Sequence, residues 1–181
     1  MRIVPTIWDS EYTEAEFARW RDHFKTGELI IKPTVSATAG DTYRLGEFDP
    51  RLSEIFRTKP FLVQPFMPNI VDEGEYSLFY FAGEYSHAIL KSPKTDDFRV
   101  QEEHGGNIIP AAADDALRRA GRRAMGLISP VPLYARVDFV RVTDDNFALM
   151  ELELIEPALY FRMDLGSAAR FAAAFDRLMS S

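Results

Sequence analysis

The chain has 181 residues, no cysteine and a formal charge of -7, a length that suits one domain or two small lobes around a sizeable core. The missing cysteine excludes a disulfide framework, a thiolate metal site and a cysteine nucleophile, and fits a reducing compartment. The acidic balance gains nothing from counterion release, and no apolar run reaches the length of a membrane span, so nucleic acid and membrane are not expected partners and the default location is cytoplasmic.

Residues 1–6 are extended and apolar. Residues 12–24 place Phe17, Trp20 and Phe24 at helical spacing, with Thr13 as cap, Glu16 completing a capping box and Gly27 ending the helix. Residues 28–33 read as a short strand, with Lys32 near its end. The loop 34–42 is small and hydroxylated, and Gly40 is free to take positive φ. Such a loop offers N–H and hydroxyl groups that hold phosphate oxygens, and Lys32 adds a point charge, although a lysine beside an ordinary surface loop is the commoner arrangement. Residues 49–58 form a short helix entered at Pro50. In residues 61–67 Pro65 forces the strand to an edge or makes it a connector. A connector beside Phe66 and Met67 could hold a flat heterocycle or serve as a lobe hinge.

Residues 75–82 and 85–91 form a hairpin turned at Gly83-Glu84, with glycine first. His87 within it reads as a satisfied structural group. Lys91 at its end is either solvated or a phosphate contact. Residues 92–110 are polar and irregular, a long loop of the kind that often carries function, and Arg99 in it is either a surface arginine or a phosphate contact. Residues 111–126 form a helix with acids early and arginines late. Residues 165–179 form an amphipathic helix that presents Phe171, Phe175 and Leu178 to the core.

Residues 134–142 and 147–155 are strands joined by a turn at 143–146. Alternation puts Glu151 and Glu153 on one face. A hairpin centred between Asp144 and Asp145 sets Asp138 opposite Glu151 and Arg136 opposite Glu153. Three acids then share a face. An oxygen-only set of this kind suits Mg2+ or Mn2+. An Arg136–Glu153 cross-strand pair with the other acids solvated is the alternative, and it would leave Asp138 and Glu151 as the firmer ligands.

Taken together, Ile30-Ile-Lys-Pro-Thr-Val-Ser-Ala-Thr-Ala-Gly40, Leu62-Val-Gln-Pro-Phe-Met67, Gly74-Glu-Tyr-Ser77, Ser86-His-Ala-Ile-Leu-Lys91, Phe98-Arg-Val-Gln101, Arg136-Val-Asp138 and Glu151-Leu-Glu-Leu-Ile-Glu-Pro157 resemble the ATP-grasp superfamily. The branch is that of prokaryotic glutathione synthetase, the ribosomal-protein glutamate ligases and the cyclo-ligase of cycloserine biosynthesis. The resemblance implies an α+β fold of two lobes, each with an antiparallel sheet and packed helices, and a nucleotide between them. Residues 1–62 correspond to the smaller lobe and 63–181 to the larger, metal-bearing one. The N-terminal domain that usually precedes them is not seen in this sequence.

The resemblance also implies roles. Lys32 contacts ATP phosphates under the loop that holds Ser36, Thr38 and Gly40. Gln64, Pro65, Phe66 and Met67 form the adenine connector, Glu75 lies near the ribose, and Lys91 is a further phosphate contact. Arg99 and Lys32 carry the catalytic charge, and Asp138, Glu151 and Glu153 hold Mg2+ or Mn2+. Many relatives carry Asn where Glu153 stands. The implied activity is ATP-dependent ligation of a small-molecule carboxylate to an amine or thiol through an acyl-phosphate. A non-catalytic ATP-binding module or a truncated ligase is the alternative, and self-association is left open.

Overall fold

The computed structural model describes residues 1–36 and 39–180. They divide into two compact units, Val4–Pro68 and a second made of Met1–Ile3 with the chain from Asn69 onward.

In the first unit, strand β1 (Ile7–Asp9) leads to helix α1 (Glu14–Phe24). The Thr13 hydroxyl accepts from the Glu16 backbone N–H, satisfying one of the helix's orphan donors. Phe17 and Trp20 fall on the buried stripe. The helix ends at Phe24 as expected, but Lys25 rather than Gly27 caps it. Lys25 takes the left-handed conformation, φ 52, and the N–H groups of Lys25 and Thr26 close onto Asp22 O and Arg21 O. Those bonds supply what a C-terminal glycine usually makes easy.

Strands β2 (Leu29–Pro33) and β3 (Tyr43–Leu45), helix α2 (Ser53–Arg57) behind a 3₁₀ turn at Pro50–Leu52, and strand β4 (Phe61–Pro65) complete this unit. The sheet order is β1-β4-β2-β3, all antiparallel. Pro65 therefore does not drive its strand to an edge. Pairing with β1 ends at Val63, so the proline end of β4 needs to satisfy a neighbour on the β2 side only. Leu29 and Ile31 alternate with Ile30 and Lys32, and the first pair packs with Tyr12, Trp20, Phe56, Phe61 and Val63 in an aromatic-rich core.

The second unit contains helix α3 (Asn69–Asp72), strands β5 (Glu75–Phe81), β6 (Glu84–Ser92) and β7 (Asn107–Ala111), helix α4 (Asp115–Met125), strands β8 (Tyr134–Thr143) and β9 (Asn146–Glu153), and helix α5 (Ser167–Met179). Among the described residues the strand order is β7-β6-β5-β8-β9, again antiparallel. One face packs on α4 through Leu78, Tyr80, Val137, Phe139 and Leu117. The other carries Phe79, Ile89 and Ile108 under Leu159, Tyr160 and Met163.

Three expectations shift here. The β5–β6 turn is Ala82-Gly83, φ 47 and 81, rather than Gly83-Glu84. Two positive φ values match the right-handed strand twist, and Ala82 accepts that strain. The end of the irregular segment 92–110 is ordered as β7, where Pro110 sits on an edge strand and removes no inner ladder bond. In α5, Phe171 packs against Phe81, Tyr134 and Phe161, but Phe175 and Leu178 are 45% and 42% exposed. The small Ala174 takes the buried position instead. No described helix is long and apolar enough to cross a membrane.

Candidate functional site

The site grows from the β8–β9 hairpin. Asp138 pairs with Glu151 and Arg136 with Glu153. Carboxylate oxygens of Asp138, Glu151 and Glu153 come within 4.8 Å of one another. Asp138 is completely buried. Arg136 lies between two of the acids. Its Nε donates to Asp138 Oδ1 at 3.2 Å and Oδ2 at 3.0 Å, and its NH2 donates to Glu153.

The neighbouring strands add a second cation. Lys91 on β6 faces Glu75 on β5, and the two are ion-paired. Lys91 Nζ also lies 3.5 Å from Asp138 Oδ2. Both residues are nearly buried. Burial works to lower the Lys91 pKa, but Asp138 and Glu75 outweigh it and keep the ammonium charged. Burial, with Asp138 and Glu151 nearby, pushes Glu75 up to about 7 against the pull of Lys91. Asp138 is held below the usual carboxylate range, because Lys91 and Arg136 together outweigh its burial. Glu153 is raised by burial and by Asp138 and Glu151, with Arg136 opposing. Burial is the first cause of both rises, and the nearby carboxylates add to it. The oxygen-only donors of Asp138, Glu151 and Glu153 fit a hard divalent cation.

Ser77, which sequence reasoning did not single out, stands opposite Asp138 on β5. It is fully buried beside the Asp138 carboxylate, which it helps to hold below the usual carboxylate range. His87 is satisfied as expected. Its Nε2 lies 3.2 Å from Leu159 O, its Nδ1 lies 3.0 Å from Ser86 Oγ, and its ring stacks on Phe79. Arg99 directs its Nε and NH2 at Asp97, at 3.1 and 3.0 Å. The Arg99 side chain and the backbone N–H groups of Arg99 and Phe98 hold Asp97 well below the usual carboxylate range.

The remaining expected residues lie in the first unit. Lys32 stands on the half-buried face of β2. Ser36 and Gly40 are exposed, and the positive φ values near them fall on Ala39 and Asp41. Thr38 lies outside the described residues. Gln64 is nearly buried and donates its side-chain amide to Thr6. Pro65 ends β4, with Met67 two residues on. The Phe66 N–H donates to Glu28 O, and the Arg44 guanidinium lies 3.7 Å from the Phe66 ring centre. Arg44 is held there by Glu28 at 2.9 and 2.7 Å. One face of Phe66 is therefore already covered.

No family model matches the chain. It is 30% identical to the cycloserine biosynthesis protein DcsG of Streptomyces lavendulae over 163 residues, 81% of this chain and 54% of that protein. Its fold is similar to the crystal structure of D-cycloserine synthetase DcsG, with 26% identity, a TM-score of 0.73 and coverage of 98% of this chain and 65% of the other. It is also similar in fold to the ATP-grasp ligase PsnB complexed with minimal precursor, Mg and ADP (13% identity, TM-score 0.69, 97% and 53% coverage). D-alanine–D-alanine ligase from Bacillus anthracis shares the fold too (15% identity, TM-score 0.67, 99% and 61% coverage). The chain spans about half the length of the curated relative. Two antiparallel sheets in this order, with the likeness in sequence and fold to DcsG and in fold to PsnB, give the chain the ATP-grasp fold.

Proposed function

We propose that the chain supplies the ATP site of an ATP-dependent carboxylate–amine (or thiol) ligase acting through an acyl-phosphate. The observation that carries this is the oxygen-only triad Asp138, Glu151 and Glu153, gathered on one face of a sheet in an ATP-grasp fold. PsnB, a relative in fold, was solved with Mg and ADP, which supports the same pair of cofactors here.

In this reading a small-molecule carboxylate attacks the γ-phosphorus of ATP, the bond to ADP breaks, and an acyl-phosphate forms. An amine or thiol then attacks the acyl carbon and phosphate leaves. No side chain acts as nucleophile, so catalysis lies in positioning and electrostatics. Lys32 and the Ser36–Gly40 loop hold phosphate oxygens. The backbone of Gln64–Met67 meets the adenine. Arg99 and Lys32 stabilise charge developing on the transferred group. Asp138 and Glu151, with Glu153 shared with Arg136, would hold Mg2+ or Mn2+, which supplies neutralisation of phosphate charge when bound.

ADP release measured with Mg2+ and a panel of amino acids and short peptides tests the activity. Turnover with one acid–amine pair supports the ligase. Mg·ATP binding without turnover for any pair supports instead the non-catalytic ATP-binding module. Absence of both sinks the nucleotide reading altogether.

A further inference from the structure

Lys91 and Glu75 sit where a solvent-facing pair would serve no purpose. Their side chains are 5% and 9% exposed, and they face each other directly across β5 and β6. A buried ion pair is weak grounds for stability, since desolvation offsets the attraction. Its position is more informative. Lys91 is the only cation beside Asp138, among the described residues, that comes from the strand on the far side of β5, and Arg136 reaches the same acid from Asp138's own strand. Both meet at Oδ2, with Lys91 Nζ at 3.5 Å and Arg136 Nε at 3.0 Å. Arg136 Nε reaches Oδ1 at the longer distance of 3.2 Å. The carboxylate is thus held from two sides, with both cations converging on one oxygen.

We propose that Lys91, kept in place by Glu75, is a positioning residue that orients Asp138 as a one-oxygen ligand for the divalent cation. This rests on the metal-site reading above. It gives both residues a role inside the sheet, in place of contacts to ribose and phosphate. Partners behind a ligand commonly matter this way, because they fix its rotamer and its charge; their loss costs about 10- to 100-fold in metal affinity.

The test is Mn2+ binding by calorimetry and by electron paramagnetic resonance, without nucleotide, on the wild type and on Lys91→Met/Glu75→Gln. The double change removes one charge of each sign, so the net charge of the cluster is unchanged, and Asp138 keeps its Arg136 partner. A folded double variant with Mn2+ affinity about 10- to 100-fold weaker supports the proposal. A folded double variant that binds Mn2+ like the wild type overturns it and leaves the metal site standing. If the double variant does not fold, Lys91→Arg takes its place, since its fork keeps the charge but spans both Asp138 oxygens. Weaker Mn2+ binding by Lys91→Arg supports the proposal, and unchanged binding overturns it. A wild type that binds no Mn2+ at all overturns both this proposal and the metal-site reading.

Discussion

Asp138 and Glu151 face each other across β8 and β9 because two irregularities in that hairpin cancel. Counting outward from the Asp144-Asp145 turn, Val142 is an extra residue on β8, between the Arg141–Phe147 and Thr143–Asn146 pairs. Met150 is an extra residue on β9, between the Asp138–Glu151 and Phe139–Leu149 pairs. The second bulge restores the register that the first one shifted. It also switches the face, since Phe147, Leu149, Leu152 and Leu154 all join the core on the α4 side. Without the bulge, Glu151 and Glu153 would follow Phe147 and Leu149 into that core.

Deleting Met150 should therefore be tolerated. The shortened strand reads Phe-Ala-Leu-Glu-Leu-Glu-Leu, in which the acids already alternate with the apolar residues. A melting temperature within about 4 °C of the wild type, about 1 kcal/mol for a chain of this size, is expected, together with retained Mn2+ binding. Loss of the folded state on deletion would show that Met150 does more than occupy the bulge.

Gly121 is needed by Tyr80. A Cβ at Gly121 would overlap the Tyr80 hydroxyl and crowd Leu78 Cδ2 at 2.9 Å. That hydroxyl is buried and has no partner among the described residues. Gly121→Ala should destabilise by about 1–3 kcal/mol through overpacking, despite a helix-propensity gain of about 1 kcal/mol. Adding Tyr80→Phe should recover most of the loss, because it removes the closest overlap and an unsatisfied polar atom. Urea melts of the four combinations measure the coupling, and simple additivity would refute it.

In α5 the expected core trio splits. Phe171→Ala should cost about 2–4 kcal/mol, since the ring packs on three aromatic neighbours. Phe175→Ser should change stability by less than about 1 kcal/mol. Equal losses in thermal melts would mean that Phe175 is covered in solution.

The neutral form of His87 suits its surroundings. The Leu159 carbonyl accepts from Nε2, so Nδ1 is left to accept from the Ser86 hydroxyl, which itself accepts from Arg170 Nε at 2.9 Å. Burial lowers the His87 pKa, with Arg170 adding to it and Leu159 O and Asp164 opposing. The unfolded chain takes up a proton near pH 6.5, which the folded state resists. Stability from this group is then fully present above about pH 6.5 and is lost as pH falls below it. Denaturant melts at pH 7.5 and 5.5 should show a larger acid loss for wild type than for His87→Gln. Parallel losses would rule out the assignment.

The two hairpins explain what was legible. The β8–β9 count works from the turn alone, because its bulges cancel. The β5–β6 hairpin carries an unbalanced bulge, with Ser86 extra between the Phe79–His87 and Tyr80–Tyr85 pairs. No count from the turn residues sets Glu75 against Lys91, so their pairing was hidden while the acid triad was visible. A bulge depends on packing across the strands, and alternation within one strand does not report it. Of the two expectations for Pro65, edge strand and connector, the structure overturns the first, because a proline restricts only the side on which a neighbour needs its N–H and β1 stops short of it. Helix α1, by contrast, was readable from local chemistry, with its Thr13 cap and its aromatic stripe.

The most direct test of the account is calorimetric titration with ATP in the presence of Mn2+, on wild type and on Asp138→Asn/Glu151→Gln. The account predicts that wild type binds, with stability raised by about 2.7 kcal/mol at a hundredfold excess over Kd, and that the double variant loses at least about tenfold in affinity, roughly 1.4 kcal/mol. Equal affinity in the two proteins would contradict it.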